Sequence, residues 1–307
     1  MTDDQLAPPV GVVLVTHNRP QLMRRALASI LGQSYDGDIS VVVVYDRSEP
    51  EHELESATPG RQVSVIRNER SAGLAGARNT GVLHLTTDIV GFCDDDDEWL
   101  PDKLTVQMAR LREHPEARFV TTAMEVSYDG RATPRLAGKD EVTLTDMVRS
   151  RMAMLHSTSF LFRRSAMLEE FGLVDETLPN SMAEDWDLLL RAARQSPIQH
   201  VDRPLVQIQW GATSYFNEAW QDKNLAHGWL LEHHPEIGRD RVGAGLMYGK
   251  IAFGNAAVGQ RRRALAAVRQ CLRVDWRQPR AYLALLVVAG VPGNRIQAVL
   301  NRYGHGI

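Results

Sequence analysis

Four consecutive aspartates stand at the end of an apolar stretch in Cys93–Leu104, CDDDDEWLPDKL. Adjacent carboxylates repel one another, and a divalent cation seated among them relieves the repulsion. A hard cation needs only one or two protein carboxylates when a diphosphate supplies the remaining oxygens. The same run also reads as a solvated turn before a helix that Pro101 starts, because carboxylates favour a helix N-terminus. The apolar strand before it and Trp99-Leu100-Pro101 after it favour metal binding. Asp46 ends VVVVYDRS. At a strand end it would accept hydrogen bonds from a ribose or a base edge, and a turn or helix-cap role is an equal reading. Ser71–Gly81, SAGLAGARNTG, has neither a Lys-Ser/Thr ending nor GxGxxG spacing, which excludes a P-loop and a dinucleotide fingerprint. Its Arg78 instead offers a cation to a diphosphate. Ala183–Arg191, AEDWDLLLR, puts Glu184 and Asp185 at a helix start. There they either cap the helix and meet its dipole or supply a general base.

These residues need a scaffold that gathers them. Val10–Val15, Ile39–Tyr45, Val63–Ile66 and Ile89–Cys93 are apolar, β-branched runs that predict strands covered on both faces. Between the first two, Pro20 opens a segment with Leu22, Met23, Ala26, Leu27, Ile30 and Leu31 at helical spacing. Strand–helix–strand repeats imply parallel strands joined by right-handed crossovers. Thr16–Arg19, Asp46–Ser48 and Asp94–Asp97 all follow strand ends, so they should converge on one sheet edge, where such sheets bind ligands. Further along, Phe119–Val126 and Ser157–Phe162 read as strands, 144–151 as a short helix and Asp187–Arg194 as a longer one. Beyond about residue 220 the pattern turns helical, with Tyr248–Val258, a turn at Gly259 and Arg263–Leu272 as a helical hairpin.

With 307 residues, 44% of them apolar, and only Cys93 and Cys271, the chain is neither disordered nor a disulfide framework. The cysteines suggest a reducing compartment. No apolar run has the length a spanning helix needs, and the acidic N-terminus lacks a secretory layout. A soluble cytoplasmic protein is expected. Charge is divided unevenly: residues 1–219 carry a balance of -11 and residues 220–307 one of +8. The acidic body argues against nucleic-acid binding. The basic tail, with Arg261, Arg262, Arg263, Arg269, Arg273, Arg277 and Arg280 before the apolar Ala281–Val291, admits two readings. One is a helical subdomain with solvated arginines, and the other is peripheral contact with anionic lipid on the inner face of the membrane.

The order Thr-His-Asn-Arg, Asp-x-Ser, Gly-Leu-Ala-Gly-Ala-Arg-Asn, Asp-x-Asp-Asp-x-Trp-Leu-Pro and Glu-Asp-Trp-Asp-Leu resembles glycosyltransferase family two over roughly residues 9 to 215. The resemblance implies a GT-A fold: an open, mostly parallel α/β sheet flanked by helices. Residues 1–219 would be the catalytic domain, binding a nucleotide-diphospho-sugar through about 9–100 and an acceptor through about 101–219. Residues 220–307 would add a helical region. It further implies inverting transfer to an acceptor hydroxyl, with Mn2+ or Mg2+, in polysaccharide, glycolipid or glycoconjugate biosynthesis. By the same resemblance Thr16, Asn18 and Arg19 would line the nucleotide pocket, and Asp46 would hold the base, commonly uracil. Arg78 would lie near base or diphosphate, and Asp94 and Asp95 near ribose or sugar. Asp96, with Asp97 beside it, would hold the metal. Asp185 matches the catalytic base and Glu184 its support. Tyr45 replaces the first acid common in the Asp-Asp-x-Ser turn, and Gln209–Thr213 lacks the basic residue and His that relatives often carry. Two rivals are a sugar nucleotidyltransferase, which needs a glycine-rich loop that Thr16–Arg19 does not supply, and a non-catalytic nucleotide-binding scaffold.

Overall fold

The computed structural model of the protein describes residues 7–128, 131–210 and 219–302. These form two compact units. The first contains one mixed sheet built, in chain order, from β1 Val10–Thr16, β2 Ile39–Tyr45, β3 Ser56–Thr58, β4 Arg61–Arg67, β5 Ile89–Asp94, β6 Glu98–Trp99, β7 Phe119–Tyr128, β8 Arg131–Arg135, β9 Glu141–Val142, β10 Leu161–Arg163 and β11 Ile198–Gln209. Its strand order is β3-β4-β2-β1-β5-β10-β7-β11-β6, with β8 on β7 and β9 on β11. The expected parallel core is present as β4, β2, β1 and β5. Beyond β5 the sheet departs from expectation: β10 runs antiparallel between β5 and β7, and β11 is parallel to β7.

The two-sided apolar runs follow from helices on both faces. α1 (Pro20–Leu31) contributes Met23, Ala26, Leu27 and Ile30 to a core shared with Val10, Val12 and Leu14. On the opposite face Val13 meets Gly81 of α2 (Leu74–His84), where any larger side chain would collide with it. α3 (Lys103–Glu113), α5 (Arg164–Glu169) and α6 (Glu184–Gln195) belong to this unit, whereas α4 (Leu144–Arg149) lies in the second but for Leu144. Ser157–Phe162, read as a strand, is one only in its last part. Ser157–Ser159 is a 3-10 turn whose hydroxyls face polar partners, and β10 starts at Leu161.

Lys103 is fully buried, with its ammonium 3.6 Å above the Trp99 ring and no hydrogen-bond partner. Burial pushes its pKa from 10.5 down to about 7. Between those values the unfolded chain holds a proton that the folded chain lacks, so this residue makes stability rise with pH. Lys103→Met should therefore remove a slope of about 1.4 kcal/mol per pH unit between pH 7.5 and 9.5. Urea unfolding of both proteins at the two pH values measures it, and equal slopes would place a neutralising partner beside the amine.

The second unit is helical and contains Thr145–Arg151, Thr177–Ala183 and the described residues from Ala219 on. Its helices are α7 Trp220–His233, α8 Pro235–Arg239, α9 Arg241–Ala257, α10 Arg261–Val274, α11 Pro279–Val288 and α12 Gly293–Arg302. α9 and α10 are the expected hairpin, turning at Gly259 with φ 78°. Ala252, Phe253, Ala264, Val268, Cys271, Ala281 and Ala284 fill the core, and small residues let these helices approach closely.

Candidate active site

The carboxyl ends of β1, β2 and β5 adjoin because β1 pairs with both neighbours in parallel, Thr16 opposite Tyr45 and Val15 opposite Asp94. Just past the first two ends, Asn18 and Arg47 take left-handed backbone at φ 53° and 48°. Non-glycine residues held there cost roughly 1–3 kcal/mol each and collect at functional sites. Thr16 donates from Oγ1 to Asp95 Oδ2 at 2.9 Å. Arg19 reaches Asp95 Oδ1 at 3.2 Å and Asp96 Oδ2 at 2.8 Å. The turn after β1 and the acid run are thus tied together, as the sequence led us to expect of residues sharing a sheet edge.

Asp46 is buried and engaged by its own chain. It accepts from Gly73 N–H at 3.1 Å, Asn68 Nδ2 at 2.8 Å and Arg47 Nε at 2.8 Å. Burial would raise its pKa, but these donors outweigh it and hold the carboxyl below its usual value. The loop it clamps is held from the other side by Glu176, which accepts from Asn79 Nδ2 at 2.7 Å and pairs with Arg70.

Arg78 is the centre of the site. Its side chain is buried beneath the sheet edge, with Nη2 2.6 Å from Asp94 Oδ1 and Nη1 2.6 Å from Glu184 Oε1. Nη2 also donates to Ser157 Oγ at 2.9 Å, and Ser157 donates to Asp94 Oδ2 at 2.9 Å. Desolvation opposes its charge, yet the two carboxylates overcome that and raise its pKa further. Asp94 feels burial upward, but Arg78, His156 and Ser157 bring it below the ordinary value. Glu184 is pushed up to about 7 by burial, against Arg78 and with Asp185 and Asp94 adding to the rise. Asp185 follows at the start of α6, its Oδ1 accepting the Trp186 N–H at 2.7 Å. Both neighbours are buried, Glu184 on Arg78 and Trp186 in the core, so the backbone at Asp185 is fixed from either side.

Among the acids, burial raises the pKa of Asp95, Asp96 and most of all Asp97, with Asp94 and Asp96 adding to the effect on Asp97. Asp97 Oδ2 accepts from Thr158 Oγ1 at 2.6 Å and lies 3.4 Å from His156 Nδ1. Asp94, Asp97 and His156 can each turn a ligand atom into a cluster within 4.8 Å. Crowded, desolvated carboxylates of this kind fit a divalent cation, whose charge would reverse their upward shifts. Asp96 lies at the solvent side of the run, about 40% exposed, where it pairs with Arg19. His156, Ser157 and Thr158 were not singled out by sequence, because the antiparallel β5–β10 pair that carries them here leaves no spacing signal. Gln209 N–H donates to Asp97 Oδ1 at 3.4 Å, while Gly211–Thr213 lie outside the described residues.

The family model for glycosyl transferase family 2 matches residues 11–171, more than half of the chain. The chain belongs to glycosyl transferase family 2. The uncharacterized glycosyltransferase YwdF of Bacillus subtilis is 29% identical over 195 residues, covering 62% of this chain and 70% of YwdF. S. aureus TarS 1–349, solved in complex with UDP-GlcNAc, superposes with a TM-score of 0.62 at 17% identity, covering 97% of this chain and 92% of that one. Mannosyltransferase PcManGT from Pyrobaculum calidifontis, in complex with GDP-Man and Mn2+, gives a TM-score of 0.55 at 19% identity over 97% of this chain and 87% of that one. The family 2 chain is thus a glycosyltransferase with the GT-A fold, as the motif order implied.

Proposed function

We propose that this glycosyltransferase is inverting and metal-dependent, moving a sugar from a nucleotide-diphospho-sugar, UDP-linked, to a hydroxyl of a polysaccharide, glycolipid or glycoconjugate. The observation that carries the reading is the buried Asp94–Arg78–Glu184 bridge, which joins the acid run to the start of the helix bearing Asp185. Asp185 would take the acceptor's proton as its oxygen forms the new bond to the anomeric carbon and the bond to the diphosphate breaks. Glu184 and Arg78 would hold Asp185 in place. Asp96 and Asp97, with Asp94 and His156 in reach, would hold Mn2+ or Mg2+. Such a cation neutralises the charge growing on the leaving diphosphate. Thr16, Asn18, Arg19 and the loop clamped by Asp46 would line the nucleotide pocket. The UDP-GlcNAc held by TarS and the Mn2+ held by PcManGT support this choice of donor and metal.

Incubation with a panel of nucleotide sugars and assay of released nucleoside diphosphate tests it. Manganese-dependent release of UDP is the expected result. Release of pyrophosphate from nucleoside triphosphate and sugar phosphate would indicate a nucleotidyltransferase, and nucleotide binding without turnover would indicate a scaffold.

A second reading concerns where the enzyme works. Among the described residues no helix is long and apolar enough to cross a membrane. The outward face of α10 presents Arg261, Arg262, Arg263, Leu265, Arg269 and Arg273, and Trp276 and Leu286 are exposed beyond it. That combination favours peripheral contact with anionic lipid over arginines that are merely solvated. Sedimentation with phosphatidylglycerol vesicles should be seen at low salt and lost at high salt, and no sedimentation at low salt would contradict it.

A further inference from the structure

Beside the acid run, one face of the sheet turns polar where buried strands carry apolar side chains. Along β7, Val120, Met124 and Val126 join the core that α1 covers, together with Val206 and Ile208 of β11 and Trp99 of β6. Side chains alternate along a strand, so the residues between these lie on the other face. That is the face of Arg78. Its guanidinium lies 5.2 Å from the Phe92 ring, Phe92 meets Phe162 at 5.1 Å, and Phe162 stacks on Phe119 at 5.5 Å. From Phe119, steps of two along β7 reach Glu125 and Ser127 on that same face.

Strand pairing widens these two positions into a floor. Gln207 stands opposite both Glu125 and Glu98, and Gln209 stands opposite Ser127. Residues directly opposite in a sheet share a face. All five are half-buried, and among the described residues their side chains make no hydrogen bond or ion pair. β8 adds Ala132 and Pro134 to this face, opposite Ser127 and Glu125, and turns Arg131 and Arg135 to the other. These rows therefore offer carboxylates, amides and a hydroxyl, and bring no cation among them. The floor adjoins the acid run, where Gln209 N–H donates to Asp97 Oδ1 at 3.4 Å. On the same face Arg78 ties Asp94 to Glu184, the neighbour of Asp185.

We propose that Glu98, Glu125, Ser127, Gln207 and Gln209 form the acceptor cradle, which takes an uncharged sugar ring at the acceptor's end. The proposal rests on the transfer reading above and adds to it the acceptor's chemical class. A sugar hydroxyl can donate to either carboxylate in a charge-assisted bond, and can both donate to and accept from the amides and Ser127. Uncommitted polar groups set in a ligand site fix orientation and specificity. A uronic acid would set its own carboxylate against Glu98 and Glu125, and like-charge juxtaposition rejects it.

Ligand-observed NMR titration of the full chain, loaded with UDP and Mg2+, tests the proposal with the methyl β-glycosides of N-acetylglucosamine, glucose, galactose and glucuronic acid. Saturable binding of at least one neutral glycoside is expected, with the glucuronide bound at least about tenfold more weakly than that one. Gln207→Ala should weaken the neutral glycoside about tenfold through lost hydrogen bonds. Glu98→Gln/Glu125→Gln should erase the preference against the glucuronide. UDP affinity should keep its wild-type value in every variant, which separates loss of the cradle from loss of the fold. With UDP bound, the cradle is overturned if no glycoside binds, if neutral and anionic glycosides bind alike to the wild type, or if the variants leave affinity and preference unmoved; the transfer reading then still stands. Failure of the wild type to bind UDP with metal would overturn the transfer reading itself, and the cradle with it.

Discussion

Asp185→Asn folds, binds nucleotide as the wild type does, and transfers sugar about a hundredfold to ten-thousandfold more slowly. The expectation rests on charge and place. The amide is isosteric with the carboxylate and can still accept the Trp186 N–H, so the first turn of α6 keeps its geometry. What it loses is the ability to take the acceptor's proton. The effect should fall on kcat with little change in donor KM, because a base would act in the transition state and the proposed nucleotide pocket is lined by other residues. Near-normal turnover by a variant with unchanged circular dichroism would remove Asp185 from this role.

The largest effect on stability is expected at Arg78. Arg78→Met removes the positive member of a buried trio and leaves Glu184 without its ion-pair partner and Asp94 with only Ser157 and His156 to offset its charge. Breaking a buried ion pair by removing one partner costs roughly 3–5 kcal/mol. Glu184→Gln should cost far less, since Arg78 keeps Asp94 and Ser157. Moreover, in Arg78→Met/Glu184→Gln the two losses should be markedly less than additive, because the second change removes the stranded charge. Urea denaturation of the three variants reads this directly. Additive losses, or an Arg78→Met cost below about 1 kcal/mol, would show that the trio is not one electrostatic unit.

Both residues were visible in sequence, but their working relations were not. β1, β2 and β5 could be read because helices on both faces demand unbroken apolar runs, and the ends of those runs give the sheet edge where Thr16, Asp46 and Asp94 sit. Arg78 was legible as a cation near that edge. Its sequence neighbourhood of glycines and alanines suggested an open phosphate contact, whereas the fold buries it between two carboxylates separated by 90 residues of chain. Asp46 looked available to a ligand because it ends a strand; the N–H groups of the loop it clamps become visible only when 68–73 closes over it. His156 and Thr158 reach Asp97 through antiparallel pairing of β10 with β5, a register that no local pattern encodes. Phe160, Leu161 and Phe162 extended the apparent strand backwards over hydroxyl residues, which the structure uses as a turn to serve the acids. In the second unit, α9 and α10 announced themselves through helical spacing and Gly259. By contrast, Thr145–Arg151 and Thr177–Ala183 join that unit by tertiary packing alone, as where Leu178 and Met182 meet Ala226.

The central claim is that the acid run holds a divalent cation together with the donor's diphosphate. Electron paramagnetic resonance of Mn2+ titrated into the protein, with and without UDP, measures this directly. The signal of free Mn2+ should fall on adding protein, fall further when UDP is present, and recover in Asp96→Asn and Asp97→Asn variants that remain folded. Free Mn2+ undiminished by the wild-type protein and UDP, or sequestered equally by both variants, would contradict the account.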